Sequence, residues 1–396
     1  MLVNDAKVIV NSLYEEMTGK ANITEDDTTS IVDIGKNLQG IASVDVIYRG
    51  IADRIGKMII RNKAYVGKFM NILRDGWEYG NILQTLRVKG IEAKTDPSYN
   101  PVDGTNYPLT TFEKMDVVQK FYNTFDNFQL EYWRPTDQLW SAFNSYDELT
   151  RFFTGVENAI QTAMNIRLQG LAKTAINNMI AQTMYRSYSG TSQAYGNSST
   201  LKAVNLLKLY NDAHTDAPLT AATCRENEAF LRFAAKTMNN VYDRLTDINS
   251  LYNIDGEDEF TAKEDINITL LSTFANDIKY NLYNAKNQFD YSLMELPGYD
   301  VVPYWQGCGT DYSEDTIGTI KLKIKTDDNT TASVNLSGIV GIMFDKDAVA
   351  INCERKKVTT FYHPDLDQTK FFDKYLGQYI NAFDKQFVVF FIADAV

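Results

Sequence analysis

The sequence predicts an α+β protein organised around one very long helix, and three observations carry that reading. Apolar residues recur at helical spacing from Ser145 to about Tyr185 without a proline. Residues 319–336 alternate apolar and polar on either side of a turn. The chain closes on Phe387-Val388-Val389-Phe390-Phe391-Ile392, an apolar run that reads as a buried strand.

Composition supports a large packed core. Of 396 residues, 44% are hydrophobic and 12% aromatic, too apolar for a disordered chain. The 51 acids outnumber 39 bases, and the net charge of -12 argues against a general duplex-DNA binder, which needs a basic surface. Cys224, Cys308 and Cys353 show neither metal-ligand spacing nor the density of a disulfide scaffold. Asp5, Glu15 and Glu16 interrupt the N-terminal apolar positions, unlike a signal peptide. No stretch approaches 18 uncharged apolar residues, so no membrane-spanning helix is expected. The simplest class is a soluble protein made in a reducing cytoplasm.

In chain order, Val8 to Met17 predicts a short amphipathic helix, followed by the polar stretch Asn22 to Ser30. Nothing in the first 50 residues makes an independent core, so they read as an arm, or alternatively as a helix on the protein's own body. Gly76-Trp77-Glu78-Tyr79-Gly80-Asn81 precedes a strand-like run, Ile82 to Val88. A Pro/Gly-rich excursion from Asp96 to Pro108 leads to a second extended run, Asn127 to Arg134, expected to pair with the first. Two-stranded excursions are marginal alone in water, so this one needs another supporting surface.

Ser145-Tyr146-Asp147-Glu148 is a capping box: the serine oxygen accepts an orphan backbone N–H and Glu148 reaches back. About 40 residues of helix would span about 60 Å, against a diameter of roughly 55 Å for a compact globule of this length. A rod in an elongated molecule fits better than a surface helix; a break near Gly170 is the alternative. Leu201 to Tyr210 predicts a short helix, and Thr223-Cys224-Arg225-Glu226 a second capping box opening a helix through Leu245. Ile266 to Leu270 alternates as a strand, with Ser272 or Thr273 capping the helix after it. Ile320, Leu322 and Ile324 share one strand face, with Lys321, Lys323 and Lys325 on the other. After an Asp327-Asp328-Asn329 turn, Ala332, Val334 and Leu336 complete a hairpin. Ile339 to Phe344 predicts a strand followed by a brief helix.

Enzyme chemistry is effectively absent from the motifs. His214 and His363 sit in turns, with no Gly-x-Ser-x-Gly elbow and no cysteine partner. The acidic run Asp255, Glu257, Asp258, Glu259, Glu264, Asp265 fails the EF-hand register and reads as a solvated loop, with a metal site as the alternative. Gly307-Cys308-Gly309 lacks the Lys-Ser/Thr tail of a phosphate loop. No catalytic residue, cofactor or metal is expected.

Several residue strings carry a family resemblance: Gly76-Trp77-Glu78-Tyr79-Gly80-Asn81-Ile82, Leu296-Pro297-Gly298-Tyr299 with Val302-Pro303-Tyr304-Trp305-Gln306-Gly307, Gly341-Ile342-Met343-Phe344-Asp345-Lys346-Asp347-Ala348, Val358-Thr359-Thr360-Phe361-Tyr362, and Tyr379-Ile380-Asn381-Ala382-Phe383. Over most of residues 56–396 the chain resembles major capsid proteins of tailed bacteriophages, in particular those with the fold first described for phage Hong Kong 97. The resemblance implies an N-terminal arm (1–55), an extended β-hairpin loop with flanking segments (56–135), and a peripheral domain with a spine helix (136–194). It further implies an axial domain (195–355) and peripheral strands returning at 356–396.

The function so implied is a structural subunit of an icosahedral or prolate shell, assembled in the host bacterial cytoplasm as pentamers and hexamers and enclosing double-stranded DNA without specific binding. Portal and scaffolding proteins, and decoration proteins, are the implied partners. Met1 as first residue suggests that any scaffold is a separate protein. Candidate inter-subunit contacts are Trp77 and Tyr79 at the loop base, which could equally pack in their own subunit, and the stripe Lys321, Lys323, Lys325, which also reads as a solvated face. The net charge fits DNA held by pressure and not by a sticky lining. Two rivals remain: a bacterial nanocompartment (encapsulin-like) shell, and a carbohydrate-active enzyme, which would need an aromatic cleft with two opposed carboxylates.

Overall fold

A computed structural model describes residues 69–74, 83–88, 97–99, 101–106, 117–122, 125–142, 146–188, 195–283, 298–305, 320–326 and 330–395, with positions 12, 14–17, 37, 47, 49 and 50 before them. Its strands are β1 (Leu83–Val88), β2 (Val117–Tyr122), β3 (Phe125–Pro135), β4 (Ala203–Asn205), β5 (Ile266–Leu271) and β6 (Asp300–Val302). They continue as β7 (Ile320–Lys325), β8 (Thr331–Leu336), β9 (Ile339–Asp345), β10 (Val349–His363), β11 (Gln368–Asn381) and β12 (Phe387–Phe391). The α-helices are α1 (Thr136–Ala142), α2 (Tyr146–Ser187), α3 (Leu206–Ala213), α4 (Glu228–Leu245) and α5 (Ser272–Tyr283).

Helix α2 runs 42 residues without a break, about 63 Å at 1.5 Å per residue. Gly170 does not interrupt it. Its environment changes along its length. Up to Leu168 one stripe is buried, and Met164 and Leu168 pack with Tyr375 against the antiparallel sheet β10-β11-β3. From Leu171 to Met184 nearly every side chain is covered, the condition of a helix that has entered a core. Ala172, Ala175, Ile176, Met179, Ile180 and Ala181 are completely buried there.

The core around that half holds a mixed five-stranded sheet, β4-β12-β9-β5-β6. Every residue of β9 and β12 is buried, because helices and loops cover both faces, as continuous apolar strands require. Gly341 on β9 sits where a Cβ would come within 2.6 Å of Leu270 Cδ2. The last strand pairs with β9 on one side and, in parallel, with β4 on the other. The hairpin β7–β8 keeps an unbroken register from Ile320↔Leu336 to Lys325↔Thr331. It lies on α2, with Ile320, Ile324, Val334 and Leu336 buried.

Several expectations are corrected. The run at 127–134 does not pair with 82–88: β3 pairs with β11, and β1 takes β2 as its partner. Residues 203–205 form a strand before α3, which Asn205 caps by accepting from Lys208 N–H. Thr223 makes no cap; the chain turns once at Cys224–Glu226, and Asn227 caps α4 by accepting from Phe230 N–H. Helix α5 begins at Ser272 itself, directly after β5. No helix follows β9; a tight turn leads into β10, with Asp345 Oδ1 accepting from Asp347 N–H at 2.7 Å. Residues 14–17 are helical as expected. Ser145, the polar stretch 22–30, the Asp327-Asp328-Asn329 turn and Gly307-Cys308-Gly309 lie outside the described residues.

Candidate assembly surfaces

Sheet β10-β11-β3 gives one face to α2 and the other to solvent. On β3 the even-numbered side chains are covered and the odd ones exposed, the period-2 signature of a half-buried strand. Phe128 stacks on Tyr375 and Tyr132 on Phe371 beneath the sheet. Above it, Trp133 and Phe361 flank Lys370 in cross-strand register. The Lys370 ammonium lies 5.0 Å from the Trp133 ring centre and 4.7 Å from that of Phe372, and 2.7 Å from Glu131. The Lys370 hydrogen bond, against a smaller opposing effect of burial, holds the Glu131 carboxyl below its ordinary range.

The ribbon β1–β2 is tied to the body by an ionic clasp. Lys120 on β2 bonds Asp255, in the loop after α4, and Asp384, in the turn between β11 and β12, the latter at 3.2 Å. Burial works against the Lys120 ammonium. The hydrogen bonds and charges of the two aspartates outweigh it, and the pKa is raised. Just before the ribbon, Arg74 N–H donates to Ile351 C=O at 2.9 Å, and its guanidinium reaches Lys346 C=O at 2.8 Å and Asp347 at 3.0 Å. Val117 and Phe121 are exposed on the ribbon.

The acidic run from 255 to 265 is therefore not simply solvated. Asp255 holds Lys120, Glu259 holds Lys385, and Asp265 holds Lys346 at 2.6 Å. No group of acids, histidines and cysteines among the described residues can hold a metal ion. Beside this network lies buried Asp345, whose pKa burial raises. Thr261 Oγ1 is 2.8 Å from both Asp345 Oδ2 and Gln386 Oε1. Its single hydroxyl proton faces two acceptors, one on each side.

His214 ends α3, its ring stacked on Tyr210 and its Nδ1 2.9 Å from Tyr210 C=O, in the polar stretch that leads on to α4. His363 ends β10. Burial pushes the Cys353 thiol up to about 12 and that of Cys224 up to about 11, the reverse of an activated nucleophile. A hollow of about 400 Å³ between α2 and the sheet is lined by Phe125, Asp126, Arg167, Leu171, Thr174 and Tyr379. Its single carboxylate, Asp126, is bound by Arg167 at 2.6 Å, so it lacks the opposed pair a glycosidase needs.

Of the candidate contact residues, Trp77 and Tyr79 lie outside the described residues. Lys321, Lys323 and Lys325 are all exposed on one face of β7, as the alternation implied. The clasp at Lys120 carries no sequence signal, because its partners come from distant segments.

No curated protein matches the chain. Among solved structures it is similar to the capsid of Staphylococcus phage Andhra (TM-score 0.46, 10% identity, covering 83% of this chain and 84% of that one). It is also similar to the capsid of cyanophage P-SCSP1u (0.40, 14%, 82% and 88%) and to the satellite phage P4 procapsid (0.42, 10%, 87% and 92%). The model of a family described as Phi29-like phage major capsid protein matches residues 7–391. A viral shell family displaces the nanocompartment and enzyme readings. With that match running nearly end to end, the chain belongs to the Phi29-like phage major capsid proteins: a self-assembling structural subunit of a virus shell, not an enzyme.

Proposed function

We propose that the subunit works by geometry, with α2 as the spine of a Hong Kong 97-type shell protein. The observation that carries this is the unbroken 42-residue helix, which serves the outer sheet with one half and the main core with the other. Residues 136–194 with the returning strands from 356 to 381 then make the peripheral domain. The axial domain comprises 195–355 and also β12, which hydrogen-bonds in the five-stranded sheet. Residues 1–55 are the arm and 56–135 the extended loop, its ribbon clasped at the base by Lys120 and laid over a neighbouring copy, with Trp77 and Tyr79 as anchors. Heterologous contacts of this kind close into rings when the rotation permits, here the pentamers and hexamers of a shell enclosing double-stranded DNA. Portal, scaffolding and decoration proteins are the partners such a shell takes, and assembly in the bacterial cytoplasm suits thiols kept reduced.

Deleting residues 91–110 tests the loop's role. The expected product has a wild-type circular dichroism spectrum and melting profile but forms no closed shells in electron micrographs. Normal shells from the deletion would remove the loop from assembly.

A further inference from the structure

The geometry points to the outer face of the β7–β8 hairpin as a contact for the phosphate backbone of duplex nucleic acid. Lys321, Lys323 and Lys325 stand on that face, directly opposite Asn335, Ser333 and Thr331, and all six are exposed. None of the three lysines makes an ion pair among the described residues, in a chain where Lys120, Lys346, Lys370 and Lys385 are all paired. Asp327 and Asp328 follow Lys325 in sequence and end the row. The hairpin has no bulge, and its other face is buried on α2. Gln182 Nε2 also donates to Lys325 C=O at 3.0 Å, so the row is held on a fixed backbone.

Spacing and chemistry choose the occupant. Alternate residues of an antiparallel strand lie about 6.8 Å apart, twice the roughly 3.4 Å axial rise per phosphate along one DNA strand. Hydroxyl and amide side chains are ordinary phosphate donors beside lysine. The cores of protein–protein interfaces are rich in aromatic residues and depleted in lysine; this face has no aromatic and three lysines. The net charge of -12 keeps the contact weak and local. The proposal rests on the capsid reading only for the source of the duplex.

The test uses the full-length, unassembled subunit and a duplex of arbitrary sequence, with affinity followed by fluorescence anisotropy between 50 and 200 mM salt. Three phosphate contacts give a logarithmic salt slope near -2.7, a roughly 40-fold loss across that range. K321Q/K323Q/K325Q should abolish most of that slope and still form shells, while K236Q/K279Q, which removes two exposed lysines elsewhere, should keep it. An unchanged slope in the triple variant, equal loss in the control pair, or no salt-dependent binding by the wild type would overturn the proposal. So would a triple variant that binds duplex normally yet fails to assemble, which would assign the face to an acidic surface of a second copy. Shell formation by the wild type is scored separately, so failure here leaves the capsid reading standing.

Discussion

Lys120 is held by two carboxylates that arrive from 135 and 264 residues further along the chain, so one side chain joins three segments. Removing its charge takes away the cation that bridges Asp255 and Asp384. Lys120→Met is expected to cost about 1.5–3 kcal/mol at pH 7, in line with hydrogen bonds to charged groups, measured by urea denaturation. The pKa of Lys120 is raised in the fold, so its contribution is complete below the unfolded lysine value and lost as pH rises through the folded one. The gap between wild type and variant should therefore be constant from pH 7 to 9 and narrow above about pH 10.5. A gap that closes near neutral pH would show that the clasp is not what the variant lost.

Gly338, between β8 and β9, has φ +72, and a Cβ there would meet Ile392 C=O at 2.1 Å. Ile392 N–H donates to Gly338 C=O at 2.8 Å, locking the end of β12 beside the start of β9. Gly338→Ala combines a left-handed backbone with overpacking and should lower stability by about 2–4 kcal/mol, read as a fall in melting temperature; an unchanged one would mean the close approach is not maintained in solution. Elements of this kind were unevenly legible. The periodicities of β7–β8 and of the first half of α2 stand out because each presents a single face to a core, and burial selects that period directly. The Thr223-to-Glu226 signature misleads because Asn227, also a good cap, follows it. Because nearby strands usually pair, the sequence points 127–134 to a neighbouring run; its real partner, β11, is distant, and no local pattern marks so remote a choice. The ion pairs of the acidic run were illegible for the same reason. In the lysine row the exposure was readable, but not the rigid helix beneath it.

Taken entire, the molecule buries one half of α2 in a core that needs no partner and leaves the ribbon and the outer sheet face with exposed aromatic and apolar groups: Phe121, Trp133, Phe361. Under the proposed function, other copies of the chain are expected to cover these groups. The purified chain imaged by cryo-electron microscopy at high concentration under assembly conditions decides this most directly. The proposed function predicts closed shells or rings of five and six subunits, with the ribbon of each lying on its neighbour; a population that stays monomeric and monodisperse would contradict it.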